Sequence, residues 1–121
     1  MTLDAQQLLE TAVKAADSKK ANNIVALDMQ KVSLMADYFV IADAASPRQV
    51  QAIVNEIKDK VAEAGGIINR IEGVKASEWV LLDLGDVIVH IFATEDRDFY
   101  NLERLWGDAP YVDLQQWMIA E

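Results

Sequence analysis

The run Tyr38-Phe-Val-Ile-Ala42 constrains this chain more than any other, because it is apolar without alternation. A strand with one wet face alternates apolar and polar side chains. A strand apolar at every position is buried on both faces, as a central strand under helices is. Residues 37–42 therefore read as a central strand, and Ile24-Val-Ala-Leu-Asp28 as a second buried one.

Ser46-Pro47-Arg48-Gln49 follows at once. Serine at the N-cap, proline at the first helical position and glutamine at the third form a capping box, so a helix starts there. Val50, Ile53, Val54, Ile57 and Val61 recur at helical spacing as its buried stripe, and Ala64-Gly65-Gly66 stops it. An earlier helix starts at Asp4, with Gln7 three residues on. It carries Leu8, Leu9, Ala12, Val13 and Ala16 on one face to about Lys20, and Asn22-Asn23 ends it.

Residues 67–71 look like a strand and residues 72–78 like a polar connection. Trp79-Val-Leu-Leu-Asp-Leu84 and residues 86–93 form a hairpin around Asp83-Leu-Gly-Asp86, although Leu-Gly is not a favoured two-residue turn. In its second strand Val87, Val89, Ile91 and Ala93 point one way, and Ile88, His90 and Phe92 the other. Residues 98–105 suggest a short helix. The tail from Trp106, with Tyr111, Trp117 and Met118, is too apolar for simple disorder. The order predicts one α/β (α+β) domain, with a mixed sheet of about five strands flanked by helices. A length of 121 residues suits one core and not two.

The net charge of −9 is unevenly placed. Residues 1–71 hold 9 acids and 8 bases, whereas residues 72–121 hold 11 acids against Lys75, Arg97 and Arg104. Such a half repels a phosphate backbone and attracts a basic protein, although acidity also serves solubility alone. Trp79, Tyr100 and Trp106 lie in this half. Aromatic residues there suit either a core or the anchors of an interface with a charged rim, and composition leaves the two open.

Chemistry finds little support. The absence of cysteine excludes disulfides and thiolate metal sites, and neither GxGxxG nor GxxxxGK occurs. A zinc site at the single histidine, His90, would need nearby carboxylates that the spacing does not offer, so His90 reads as a strand residue hydrogen-bonded to a neighbour. No cofactor or metal is expected. Asp83 and Asp86 are the best catalytic candidates, since two carboxylates can hold Mg²⁺. They lack a phosphate cradle, and the favoured reading is that they fix the turn. The opening residues have no basic stretch followed by an apolar one, and no apolar run approaches the roughly 20 residues of a membrane span, which predicts a cytoplasmic protein.

Three stretches together resemble the Iojap family, the bacterial ribosomal silencing factors. They are residues 37–42 with the Ser46-Pro-Arg-Gln-Val start; Glu72-Gly with Ser77-Glu-Trp79-Val-Leu-Leu-Asp83-Leu-Gly-Asp86-Val-Ile-Val-His90; and Arg97-Asp-Phe-Tyr100-Asn-Leu102-Glu-Arg-Leu105-Trp106. The likeness covers most of residues 3–108, so 1–108 reads as the domain and 109–121 as a C-terminal tail. It implies a nucleotidyltransferase-like fold without the catalytic motif. It also implies a translation repressor that binds the large ribosomal subunit through ribosomal protein fourteen, blocks joining of the small subunit, and is a homodimer when free. By the same resemblance the partner-binding positions are Trp79, Val80, Leu81, Leu82, Asp86, His90, Tyr100, Leu102, Leu105 and Trp106. One departure is Asp43-Ala-Ala-Ser46-Pro47-Arg48, where the family often has a G-T/S-S-S-R-like run. The competing reading is a Mg-dependent nucleotidyltransferase using Asp83 and Asp86.

Overall fold

The computed structural model describes residues 4–31, 36–73, 79–93, 110–112, 114 and 117. The short helix expected at 98–105 lies outside them.

Helix α1 spans Ala5–Ser18. The Asp4 carboxylate accepts the Gln7 amide at 2.8 Å, and the Gln7 side chain accepts the Asp4 amide at 3.1 Å. Both halves of a capping box are present, satisfying two amides that the first turn otherwise leaves without partners. The helix ends earlier than Asn22-Asn23. Lys20, at φ 60, breaks it, and the two asparagines open strand β1, Asn22–Asp28.

Strand β2 is Tyr38–Ala44 and helix α2 is Pro47–Glu63. Here the sequence expectation is half met. The Ser46 hydroxyl accepts the Gln49 amide at 3.2 Å, but the Gln49 side chain does not return to Ser46. Its amide nitrogen donates instead to the Lys20 carbonyl at 3.1 Å. Gln49 thus ties the start of α2 to the chain leaving α1, where carbonyls need donors.

Strand β3 is only Arg70–Glu72, shorter than the expected 67–71, and Ile67 is 68% exposed. The partner strand sets this limit. β4, Trp79–Asp83, pairs Asp83 with Arg70, and the hairpin turn then carries the chain away, so residues before Arg70 have no strand opposite them. β5 is Val87–Ala93. The turn has Gly85 at φ 94, and the Leu84 amide donates to the Val87 carbonyl at 2.9 Å. A glycine with positive φ as the first loop residue matches the twist of the flanking strands.

The five strands form one sheet in the order β1-β2-β5-β4-β3. β2 and β5 are parallel at its centre, and the other neighbouring pairs are antiparallel. Both described helices pack on one face, over Val40, Ala42, Ala44, Val80, Leu82, Val87, Val89 and Ile91. The other face carries a second cluster of Leu27, Met29, Ala36, Phe39, Ile41, Ile88 and Phe92, with Val25, Trp79 and Leu81 against it. The alternation read from β5 holds, and β2 is buried on both sides as expected.

Past the hairpin, Tyr111 bridges antiparallel to Leu27 on β1, and Leu114 is buried in the helix-side core with Trp117 packed on it. The sheet's first edge is therefore covered by residues that the sequence placed in a tail.

Candidate functional site

The candidate face is built on β4, whose burial alternates strictly: Trp79, Leu81 and Asp83 half-buried, Val80 and Leu82 buried. Successive strand side chains point to opposite faces, so the run 79–82 cannot act as one block. Val80 and Leu82, expected among the partner-binding positions, are 0% exposed in the helix-side core. They are corrected to core residues. Trp79 and Leu81 stand on the other face, against the second cluster.

An aromatic cluster supports Trp79. Its ring stacks on Phe92 at 5.3 Å between centroids, and Phe39 meets His90 at 4.9 Å with the rings tilted by 60°. Stacked and tilted pairs at these distances add to what burial alone contributes. His90 is 4% exposed, and its Nδ1 accepts the Trp79 indole N–H at 3.0 Å. An indole nitrogen only donates, so Nδ1 must be unprotonated and the neutral ring carries its proton on Nε2. Burial also pushes the His90 pKa down to about 4, because a charged imidazolium is costly away from water. His90 is therefore a neutral strand residue bonded to a neighbour, as expected; it braces Trp79 from within.

Sequence reasoning missed Gly73. It has φ +84, and a Cβ there would lie 2.1 Å from the Trp79 carbonyl oxygen. The chain comes this close to β4 only because residue 73 has no side chain. The Glu72-Gly pair was noticed for its family likeness and not for this contact, which no local pattern reveals. Phe39 and Phe92 were assigned to strands without a hint that they would frame the Trp79–His90 pair.

Asp83 fixes the turn: its Oδ1 accepts the Gly85 amide at 2.9 Å. Asp86 is exposed at the turn, and its backbone carbonyl accepts the amides of Asp37 at 2.7 Å and Tyr38 at 3.1 Å, tying the hairpin to β2. Among the described residues no group of three or more histidine, cysteine or acidic side chains is placed to hold a metal ion. An open cleft of about 650 Å³ between α1 and α2, rimmed by Glu10, Lys14, Glu56 and Lys60, shares no residue with the Trp79 face.

Tyr100, Leu102, Leu105 and Trp106 lie outside the described residues, and of the acids from Glu72 onward only Glu72, Asp83 and Asp86 fall within them. Glu72 pairs with Arg70 at 2.9 Å.

The family model described as "ribosomal silencing factor during starvation" matches residues 2–121. The chain belongs to this family. It is 53% identical over 110 residues to the ribosomal silencing factor of Halalkalibacterium halodurans, covering 91% of this chain and 94% of that one. It is 50% identical over 112 residues to the ribosomal silencing factor of Bacillus subtilis, covering 93% and 95%. A chloroplastic Iojap protein of Arabidopsis thaliana is 36% identical across 84% of this chain, which spans 42% of that longer protein. Crystal structures agree. One from Bacillus halodurans superposes with a TM-score of 0.81 at 50% identity, covering 90% of this chain and 99% of that one. One from Chromobacterium violaceum gives 0.84 at 37% identity, covering 87% and 88%. Among the described residues no helix is long and apolar enough to cross a membrane.

Proposed function

We propose that the chain is a cytoplasmic ribosomal silencing factor that binds the large ribosomal subunit through ribosomal protein fourteen. By occupying the joining face it blocks the small subunit sterically and lowers translation, with no chemistry of its own. Free of the ribosome it is a homodimer. The observation that carries this reading is the helix-free side of β4, where Trp79 and Leu81 are presented half-buried on an aromatic cluster and braced by His90. A braced, partly buried aromatic suits a docking anchor, because little freedom remains to be lost on binding.

The roles divide by location. Trp79 and Leu81 provide apolar contact, and Asp86 at the exposed turn belongs to the charged rim. His90 acts through Trp79. Tyr100, Leu102, Leu105 and Trp106 complete the surface on the strength of the family resemblance. The acidic excess from Glu72 onward steers the factor toward a basic partner and thereby raises the association rate.

Co-sedimentation with purified large subunits tests this. Trp79→Ala should weaken binding by about 2 kcal/mol or more, the range of an interfacial hot spot, while the circular dichroism spectrum is retained. Undiminished binding by a folded Trp79→Ala protein means that the face is misplaced. Calorimetry with a nucleoside triphosphate and Mg²⁺ addresses the competing nucleotidyltransferase reading. Saturable heat that Asp86→Asn abolishes would replace the present proposal.

A further inference from the structure

We infer that residues 110–117 form a latch that closes the β1 edge, and that its release lets β1 pair with β1 of a second copy of this chain. The inference rests on the backbone at that edge and is independent of the ribosomal reading.

The Asp28 amide donates to the Pro110 carbonyl at 2.8 Å, and the Val112 amide donates to the Ala26 carbonyl at 2.8 Å. These two bonds flank the Leu27–Tyr111 bridge, the spacing of a non-hydrogen-bonded pair in an antiparallel ladder. Ala26 and Asp28 are thus the residues whose backbone groups face outward from β1. Pro110 has no amide to continue the ladder, as expected for proline at the first position of a strand. Side chains hold the segment from the other direction. Val112 and Trp117 pack on the helix-side core, Leu114 is 7% exposed within it, and Tyr111 is 64% exposed.

This attachment is slight beside the central ladders. β2 and β5 pair over seven residues, whereas the latch offers the two bonds above and three apolar side chains. Segments held by few buried contacts open first and locally. What they would uncover is an edge of the kind that proteins guard. The Ile24-Val-Ala-Leu run has no lysine or proline, and the outward N–H and C=O groups of Ala26 and Asp28 would lack partners. A second β1 has the same length and apolar pattern and supplies the missing ladder.

The test uses the full-length chain carrying Leu114→Ala, a chain ending at Asp108, and a synthetic peptide of residues 109–121. Hydrogen exchange at the Asp28 amide should accelerate at least tenfold in both variants, while β2 and β5 amides stay protected. Sedimentation velocity should show a larger species in the shortened chain that grows with concentration beyond any association of the full-length protein. Adding the peptide should restore Asp28 protection and dissolve that species. Unchanged Asp28 exchange in Leu114→Ala overturns the latch. Association that the peptide does not reverse overturns the pairing through β1. If the shortened chain fails to fold, the Leu114→Ala exchange result decides the latch, and cross-linking of that variant through Ala26→Cys decides the pairing: a disulfide dimer supports it and its absence overturns it.

Discussion

Trp79 and His90 meet diagonally across β4 and β5. Trp79 is paired in register with Phe92 and His90 with Leu81, yet the indole N–H reaches back to His90 Nδ1 over 3.0 Å. Diagonal neighbours in an antiparallel pair lie farther apart than directly opposed ones, and long aromatic side chains span the gap. This bond sets the tautomer of His90 and the position of the Trp79 ring together.

Acid should destabilise the protein through His90. Its folded-state pKa is depressed to about 4 from 6.5, so the unfolded chain takes up the proton more readily. Stability from this group is therefore full above about pH 6.5 and is lost as pH falls toward 4, by about 3 kcal/mol in all. Urea denaturation at pH 7 and pH 4.5 measures the loss. His90→Gln should flatten that part of the profile; an equal slope in the variant would assign the effect elsewhere.

Trp79→Phe keeps an aromatic ring but removes the donor to Nδ1. Leaving a buried acceptor unpaired costs about 1–3 kcal/mol. The His90 ring should also lose its tautomer preference, visible in its nitrogen chemical shifts. Shifts identical to the parent would show that the hydrogen bond does not govern the tautomer.

Leu81 and Leu82 are neighbours with opposite fates. Leu82→Ala opens a cavity in the helix-side core and should cost about 2–5 kcal/mol of stability. Leu81→Ala should lower the melting temperature far less and weaken binding to large subunits instead. Equal stability losses from the two would remove the distinction between faces.

Gly73→Ala places a methyl group where the Trp79 carbonyl stands and strains a φ of +84. The chain must shift, with an expected loss of about 1–3 kcal/mol, the range for a residue forced into a sparsely populated backbone region. A thermal melt reads this, and the Trp79 fluorescence maximum should move with it. An unshifted melt would mean that residues near Gly73 relax freely.

Raising salt from 50 to 300 mM should slow association with large subunits while changing dissociation little, because rim charges act mainly on encounter. Stopped-flow with labelled factor separates the two rates. An on-rate indifferent to salt would leave the acidic half without a steering role.

Local elements were legible because their causes are local. The Asp4 cap and the Ser46-Pro47 start each lie within four residues, and the hairpin around Gly85 within a dozen. The two faces of β5 follow from a period of 2, and His90 as a bonded strand residue from the absence of other ligands nearby. The same rule applied to β4 would have excluded Val80 and Leu82 from any partner face, but the family likeness was carried over as a contiguous block. Long-range choices were of another kind. Nothing within β2 names β5 as its parallel partner, nothing near Tyr111 names Leu27, and Gln49 closes on Lys20 and not on its own cap. These depend on which apolar faces bury together once the whole chain is present, and on which backbone groups then remain without a partner. The sequence by itself determined the elements and the acidic half; the tertiary structure decided that Trp79 and Leu81 face away from the helices, because burying Val80 and Leu82 under α1 and α2 leaves a pleated strand no other orientation.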